Sequence, residues 1–335
     1  MIFLSLCLIL VSCDSSISSA RPTPDLAMRE APQALVVYHS GKTEDTSASP
    51  LGGLLLVGGD EDRDDAMDWF VDRAGRGDIV VLRASGADGY NDWLLEKGAS
   101  SVTSFVFGSR EAASDTRVLA ALAKAEGVFF AGGDQSLYMS YWKETPVEEA
   151  LAQALRRGAV LGGTSAGLAV LGEFVFSARQ GSAESSVVMK APFDSTVTVE
   201  RGFLDLAVLR GVITDSHFSQ RQRLGRLLTF MSRIFGSLGA SSVRGLGVDE
   251  QTALAIDEHG VGTVYSDRGK VFALEMAHAP TVCQSDKPLT TGDTRMIALG
   301  RGARFDLRNW EALDPISIET VVSVIQGQLI SAKNR

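Results

Sequence analysis

The chain has 335 residues, with 41 Asp and Glu against 32 Lys and Arg, for a formal net charge of −9. An acidic chain disfavours nonspecific nucleic-acid binding, which needs cations clustered against phosphate. Its 3 Cys and 4 His are scattered, giving no disulfide framework and no zinc-ligand spacing, so no metal or other cofactor is expected.

Residues 1–12 form an almost wholly apolar run, too short to span a bilayer and suited to a secretion signal. Leu10-Val11-Ser12-Cys13 resembles the bacterial lipobox, in which the cysteine becomes the lipidated first residue of the mature chain. The expectation is a lipoprotein of the bacterial cell envelope, held on the periplasmic side or at the cell surface, with a simple secretory signal as the alternative. Residues 13–33, rich in Ser, Pro and Ala, read as a tether. With Cys7 removed and Cys13 lipidated, only Cys283 is left, and no intrachain disulfide can form.

The remaining roughly 300 residues suffice for one large core. Residues 34–278 are expected to form the main α/β domain, with 279–335 as an extension closing on it. Apolar runs at Ala34–Tyr38, Gly53–Val57, Asp78–Arg83, Ser101–Phe107 and Gly127–Ala131 read as strands. Helical patterns at Asp62–Ala74, Asn91–Lys97, Ser114–Ala125, a segment ending at Trp142, and Val147–Arg157 alternate with them. Continuous apolar strands separated by helices imply a mainly parallel sheet covered on both faces, a three-layer α/β sandwich. In the last third, Thr252–Ile256, Val261–Tyr265 and Lys270–Leu274 suggest a small antiparallel addition. Asp314-Pro315 reads as the start of a closing helix carrying Ile318, Val321, Val322 and Ile325.

The most informative segment is Gly163-Thr164-Ser165-Ala166-Gly167. The apolar run Gly158–Leu161 leads into it, and Leu168–Leu171 can continue as a helix. This is the layout of a nucleophile elbow, which lifts a hydroxyl above a sheet. Ligands of such sheets sit beyond the carboxyl ends of the strands. Ser85-Gly86, Gly132-Gly133-Asp134-Gln135 and Ser165 all lie at such ends. His217 follows a strand ending at Asp215, which makes it the candidate base for Ser165. Arg221, Arg223 and Arg226 come next. They form a solvated basic face, a clamp for a substrate carboxylate, or a pairing network with Asp215.

These motifs, with Arg83-Ala84-Ser85-Gly86, Asp88-Gly89-Tyr90-Asn91 and Val248-Asp249-Glu250-x-Thr252-Ala253, run in an order that resembles the cyanophycinase-like branch of the S51 serine peptidases, relatives of peptidase E. The resemblance extends from about Leu54 to about Leu274. It implies a fold like the class I glutamine amidotransferases, with serine replacing the nucleophilic cysteine. It also implies Ser165 as nucleophile, His217 as base, and an oxyanion hole from the N–H groups near Gly133 and of Ala166. Gln135, Asp215, Arg221, Arg223 and Arg226 would line the substrate pocket. The family places the third triad acid between Ser and His. Glu184 is the nearest candidate, with Glu173 and Asp194 as alternatives. Asp249 and Glu250 carry no assigned chemistry and read as a turn at a strand end. Cyanophycinases carry Gln between the Asp and His of the fourth motif. Here that residue is Ser216, so cleavage of cyanophycin itself does not follow.

The expected function is therefore serine-type hydrolysis of an aspartyl or β-aspartyl peptide bond through an acyl-enzyme. The expected partner is a peptide bearing an acidic or β-aspartyl group. Membrane contact is expected through the N-terminal lipid only, and a homodimer is a possible assembly. The competing reading is a lipid-anchored binding protein that keeps the fold without the chemistry. A glutamine amidotransferase fits less well, because Cys283 lies in no elbow.

Overall fold

The computed structural model describes residues 34–315 and 317–332, all within one compact unit. The expected secretion signal, Cys13 and the expected tether lie outside the described residues.

The chain runs β1 (Leu35–Gly41), β2 (Leu54–Val57), α1 (Asp64–Arg73), β3 (Asp78–Arg83), α2 (Asn91–Glu96), β4 (Ser101–Phe107), α3 (Thr116–Leu122), β5 (Gly127–Phe130), α4 (Gln135–Trp142), α5 (Pro146–Arg156), β6 (Val160–Thr164) and α6 (Ala166–Ala169). It continues through β7 (Phe174–Phe176), α7 (Ser185–Val188), β8 (Val199–Arg201), β9 (Val212–Asp215), α8 (Leu224–Leu238) and β10 (Val243–Val248). The remaining strands are β11 (Thr252–Ile256), β12 (Val261–Ser266), β13 (Val271–Met276), β14 (Thr294–Leu299), β15 (Arg304–Asp306), β16 (Glu311–Ala312), β17 (Ile318–Ile325) and β18 (Gln328–Ala332).

The first sheet has the order β1-β4-β3-β5-β6-β2-β11-β12-β15-β16. Its centre, β4-β3-β5-β6-β2, is parallel, and antiparallel strands extend it on both sides. The expected three-layer sandwich is present. All four residues of β2 are buried. Because strand side chains alternate, Leu55 and Val57 pack with Met67 and Phe70 of α1 on one face. Leu54 and Leu56 join a cluster on the other face that includes Trp142 of α4 and Leu151 of α5. Full burial of each such side chain is worth roughly 1.5–3 kcal/mol.

The β-rich last third feeds both sheets rather than standing apart. β11, β12, β15 and β16 extend the first, while β10, β13, β14, β17 and β18 build most of a second sheet, ordered β18-β17-β14-β13-β10-β9-β7-β8. The amphipathic helix α8 covers this second sheet with Leu227, Met231 and Ile234.

One expectation is overturned here. Asp314-Pro315 opens no helix: residues 318–325 form β17, paired antiparallel with β14 and with β18. Ile318, Thr320, Val321, Val322, Val324 and Ile325 are β-branched, and their stiff side chains suit a strand better than a helix. Val322 and Val324 point to the core, a spacing of two rather than of three or four.

Candidate active site

Register builds the site. In β5 and β6 Phe130 lies beside Gly163, which brings Gly132-Gly133 alongside Ser165. In β6 and β2 Thr164 lies beside Val57, which brings Gly58-Gly59 to the other side of it. The Ser165 N–H donates to Val57 O at 3.0 Å, and Ser165 turns into α6 with φ 52° and ψ −110°. A non-glycine residue held at positive φ stores of order 1–3 kcal/mol of strain, a common feature of sites that present a reactive side chain. The turn closes because its glycines are bare. A Cβ on Gly167 would stand 2.1 Å from Phe130 O.

The second sheet supplies the base. β9 and β10 are parallel neighbours, with Asp215 beside Gly247, and both end at the site. Beyond β9, the His217 N–H donates to Gly58 O at 2.8 Å, and His217 Nε2 lies 2.7 Å from Ser165 Oγ. Beyond β10, Glu250 places Oε1 2.6 Å from His217 Nδ1. Asp249 is buried and holds this corner through the N–H groups of Ser219 (2.8 Å) and Lys270 (2.9 Å).

The carboxylate on His217 is thus Glu250, not Glu184. Glu184 is exposed at the start of α7, and its charge bears on Arg223. The alternatives are committed elsewhere. Glu173 pairs with Arg201 and accepts from the Gly211 N–H, while Asp194 closes its own turn onto Thr196. The Asp249-Glu250 pair carried the missing signal. Like His217, it follows an apolar strand directly, and adjacent parallel strands deliver their following residues to one place.

Burial lowers the His217 pKa, with the hydrogen bond to Glu250 opposing and the charges of Arg221 and Arg223 assisting. A neutral imidazole with Nδ1 bound to a carboxylate leaves Nε2 free to accept the Ser165 proton.

A cleft of about 400 Å³ opens over Ser165, lined among others by Gly133, Gln135, Ser182, Ser216, Arg221 and Arg223. The N–H groups of Gly133 and Ala166 have no hydrogen-bond partner among the described residues. Gln135 donates to Phe176 O at 3.2 Å.

The arginines divide in role. Arg226 is buried, donates from Nε (2.8 Å) and Nη2 (2.5 Å) to Asp215, and lies over the rings of Phe176 and Phe230. Asp215 therefore serves as a buried counterion rather than part of the lining. Arg223 donates Nη1 to Ser216 O at 2.7 Å, and burial pushes its pKa down to about 10 against the pull of Asp215. Arg221 is about half exposed and 3.9 Å from Glu250. Arg226 lines the cleft together with Arg223 and Arg221, with its Nε and Nη2 held by Asp215.

Asp62, expected only as the start of a helix, lies beside the elbow and accepts from Thr164 Oγ1 at 2.6 Å and from the Tyr90 hydroxyl. Burial raises its pKa, and these two hydrogen bonds oppose the rise. Among the described residues, no cluster of three or more His, Cys, Asp or Glu side chains is placed to hold a metal.

A serine on a strained strand-to-helix turn, hydrogen-bonded to an imidazole that is bound in turn to a carboxylate, defines the serine hydrolases. The comparisons sharpen this. The model of Peptidase family S51 matches residues 97–264. The cyanophycinase of Synechococcus elongatus is 31% identical over 287 residues, covering 80% of this chain and 83% of its own. That of Trichormus variabilis is 31% identical over 271 residues, covering 76% and 85%. A crystal structure of a peptidase from an acI-B1 Actinobacterium shares the fold at 16% identity, with a TM-score of 0.50 over 77% of this chain and 98% of its own. The chain belongs to peptidase family S51. It is a serine-type peptidase of the cyanophycinase-like kind.

Proposed function

We propose that the protein hydrolyses an aspartyl or β-aspartyl peptide bond, with Ser165 as nucleophile, His217 as general base and Glu250 orienting the imidazole. The observation that carries this reading is the relay from Ser165 Oγ through His217 to Glu250 beneath a cleft lined by Arg221, Arg223 and Arg226. His217 Nε2 takes the Ser165 proton as Oγ attacks the carbonyl. The N–H groups of Gly133 and Ala166 receive the oxyanion, where one such donor is worth roughly 3 kcal/mol. His217 then passes the proton to the leaving amine, and water resolves the acyl-enzyme by the same route. Arg223 and Arg221 engage the carboxylate of the acidic residue, for which the planar guanidinium is suited.

The competing reading, a binding protein without catalysis, draws on the uncertain third acid and on Ser216 in place of Gln. Glu250 on His217 Nδ1 removes the first of these supports. From the sequence we further propose that Cys13 is lipidated and tethers the enzyme in the cell envelope.

The test is a panel of α- and β-aspartyl dipeptides and cyanophycin, offered to protein lacking residues 1–33 and to its Ser165→Ala variant. Turnover lost in the variant supports the reading. A wild-type protein that folds, binds aspartyl ligands and turns none over would favour the binding protein.

A further inference from the structure

The three members of the relay follow strands far apart in sequence, yet one short loop lies against Ser165 and His217 and bonds Gln251, the neighbour of Glu250. Residues 58–62 follow β2. Gly58 O accepts the His217 N–H at 2.8 Å. Gly59 has φ +98°, and a Cβ there would stand 2.5 Å from both Cε1 and Nε2 of His217 and 3.1 Å from Ser165 Cβ. Gly59 O accepts the Gln251 N–H at 3.0 Å, next to Glu250, and Asp60 accepts from the Gln251 side chain at 2.9 Å. The loop ends at Asp62, whose carboxylate takes the hydroxyl of Thr164, the residue immediately before the nucleophile.

We infer that Asp62 is a positioning residue for the Ser165 reaction, acting through Thr164 to hold the elbow in the strained conformation that aims Oγ at His217. This rests on the proposed role of Ser165. Thr164 is the last residue of β6, so its side chain is the last fixed point before Ser165 turns to positive φ. Tyr90, lying against Phe129 of β5, donates to the other oxygen of Asp62 and fixes it from behind. Asp62 is thereby bound on the nucleophile side and on the core side at once. Small errors in the position of a reacting atom are costly, with about 1 Å able to remove roughly 100-fold in rate.

The test reads the nucleophile directly. A fluorophosphonate is attacked by Ser165 Oγ at phosphorus with loss of fluoride, and His217 takes the hydroxyl proton, so the second-order labelling rate reports elbow geometry without any choice of peptide. Thr164→Val removes the hydroxyl and keeps the shape; Asp62→Leu removes its acceptor. Each should slow labelling by at least ~10-fold, and the double variant should be no slower than the slower single one, because both break one link. In aspartyl-dipeptide hydrolysis the loss should fall on kcat, with KM within about twofold. Labelling at the wild-type rate in a folded Thr164→Val protein would overturn the inference. So would losses that multiply in the double variant and follow its melting temperature, the mark of a purely structural role. A wild-type protein that labels in this Asp62-dependent way yet cleaves no aspartyl peptide would sink the substrate reading alone.

Discussion

Glu250 Oε1 lies 2.6 Å from His217 Nδ1, although 33 positions separate the two residues. The contact fixes which imidazole nitrogen carries the proton. Glu250→Gln keeps the size of the side chain and removes its charge. It should lower kcat by ~10²–10⁴-fold. Glu184→Gln should leave kcat within about threefold. Steady-state kinetics on one aspartyl dipeptide decides between the two carboxylates, and equal losses would return Glu184 to consideration.

The pH profile follows from the same pair. The base must be neutral to accept a proton, so kcat/KM falls as pH drops through the His217 pKa. Burial lowers that pKa, which puts the acid limb below the ordinary imidazole value near 6.5. The Glu250 hydrogen bond opposes this lowering, so Glu250→Gln should move the limb further to acid. Arg221 contributes to the lowering, so Arg221→Ala should move it back toward neutrality. A pH series of kcat/KM for the three proteins checks both signs.

Asp215 and Arg226 predict a split between stability and binding. Asp215→Ala leaves the buried Arg226 without its counterion, which should cost about 3–5 kcal/mol of folding stability. Arg221, half exposed, should cost under ~0.5 kcal/mol when changed to Ala, while KM for an acidic substrate rises. Urea denaturation and Michaelis curves on the same two variants test the division. An Arg221→Ala protein with unchanged KM would remove Arg221 from the proposed substrate clamp.

Gly59→Ala forces a methyl group into the His217 ring from a backbone at φ +98°. The ring or the loop must shift, and either opens the 2.7 Å contact between Ser165 and His217. Activity should fall at least ~100-fold, while Ala at the open Gly89 leaves it near wild type.

Much of this was legible in the sequence because local rules carried it. The parallel core follows from short apolar runs bounded by glycine, and the elbow from four small residues around Ser165. His217 was found because it directly follows an apolar strand. Glu250 follows one too, but its partner depends on β9 and β10 being neighbours, a pairing that no local pattern encodes. Asp62 was hidden for the same reason, since its link to Thr164 spans 102 positions through the β2–β6 pairing. β17 was missed because an Asp-Pro helix start outweighed a run of β-branched residues.

β2 lies between β6 and β11, and Val57 pairs with Ala253 roughly 200 positions away. Ser165 and His217 therefore precede in the chain two of the strands that frame them, β10 and β11. Until residues near 256 have joined the sheet, Ser165 has neither its oriented imidazole nor the closed loop of Gly58-Gly59 against it. Assembly of the relay is thereby coupled to completion of the sheet. Its activity begins only when the two ends of the fold meet.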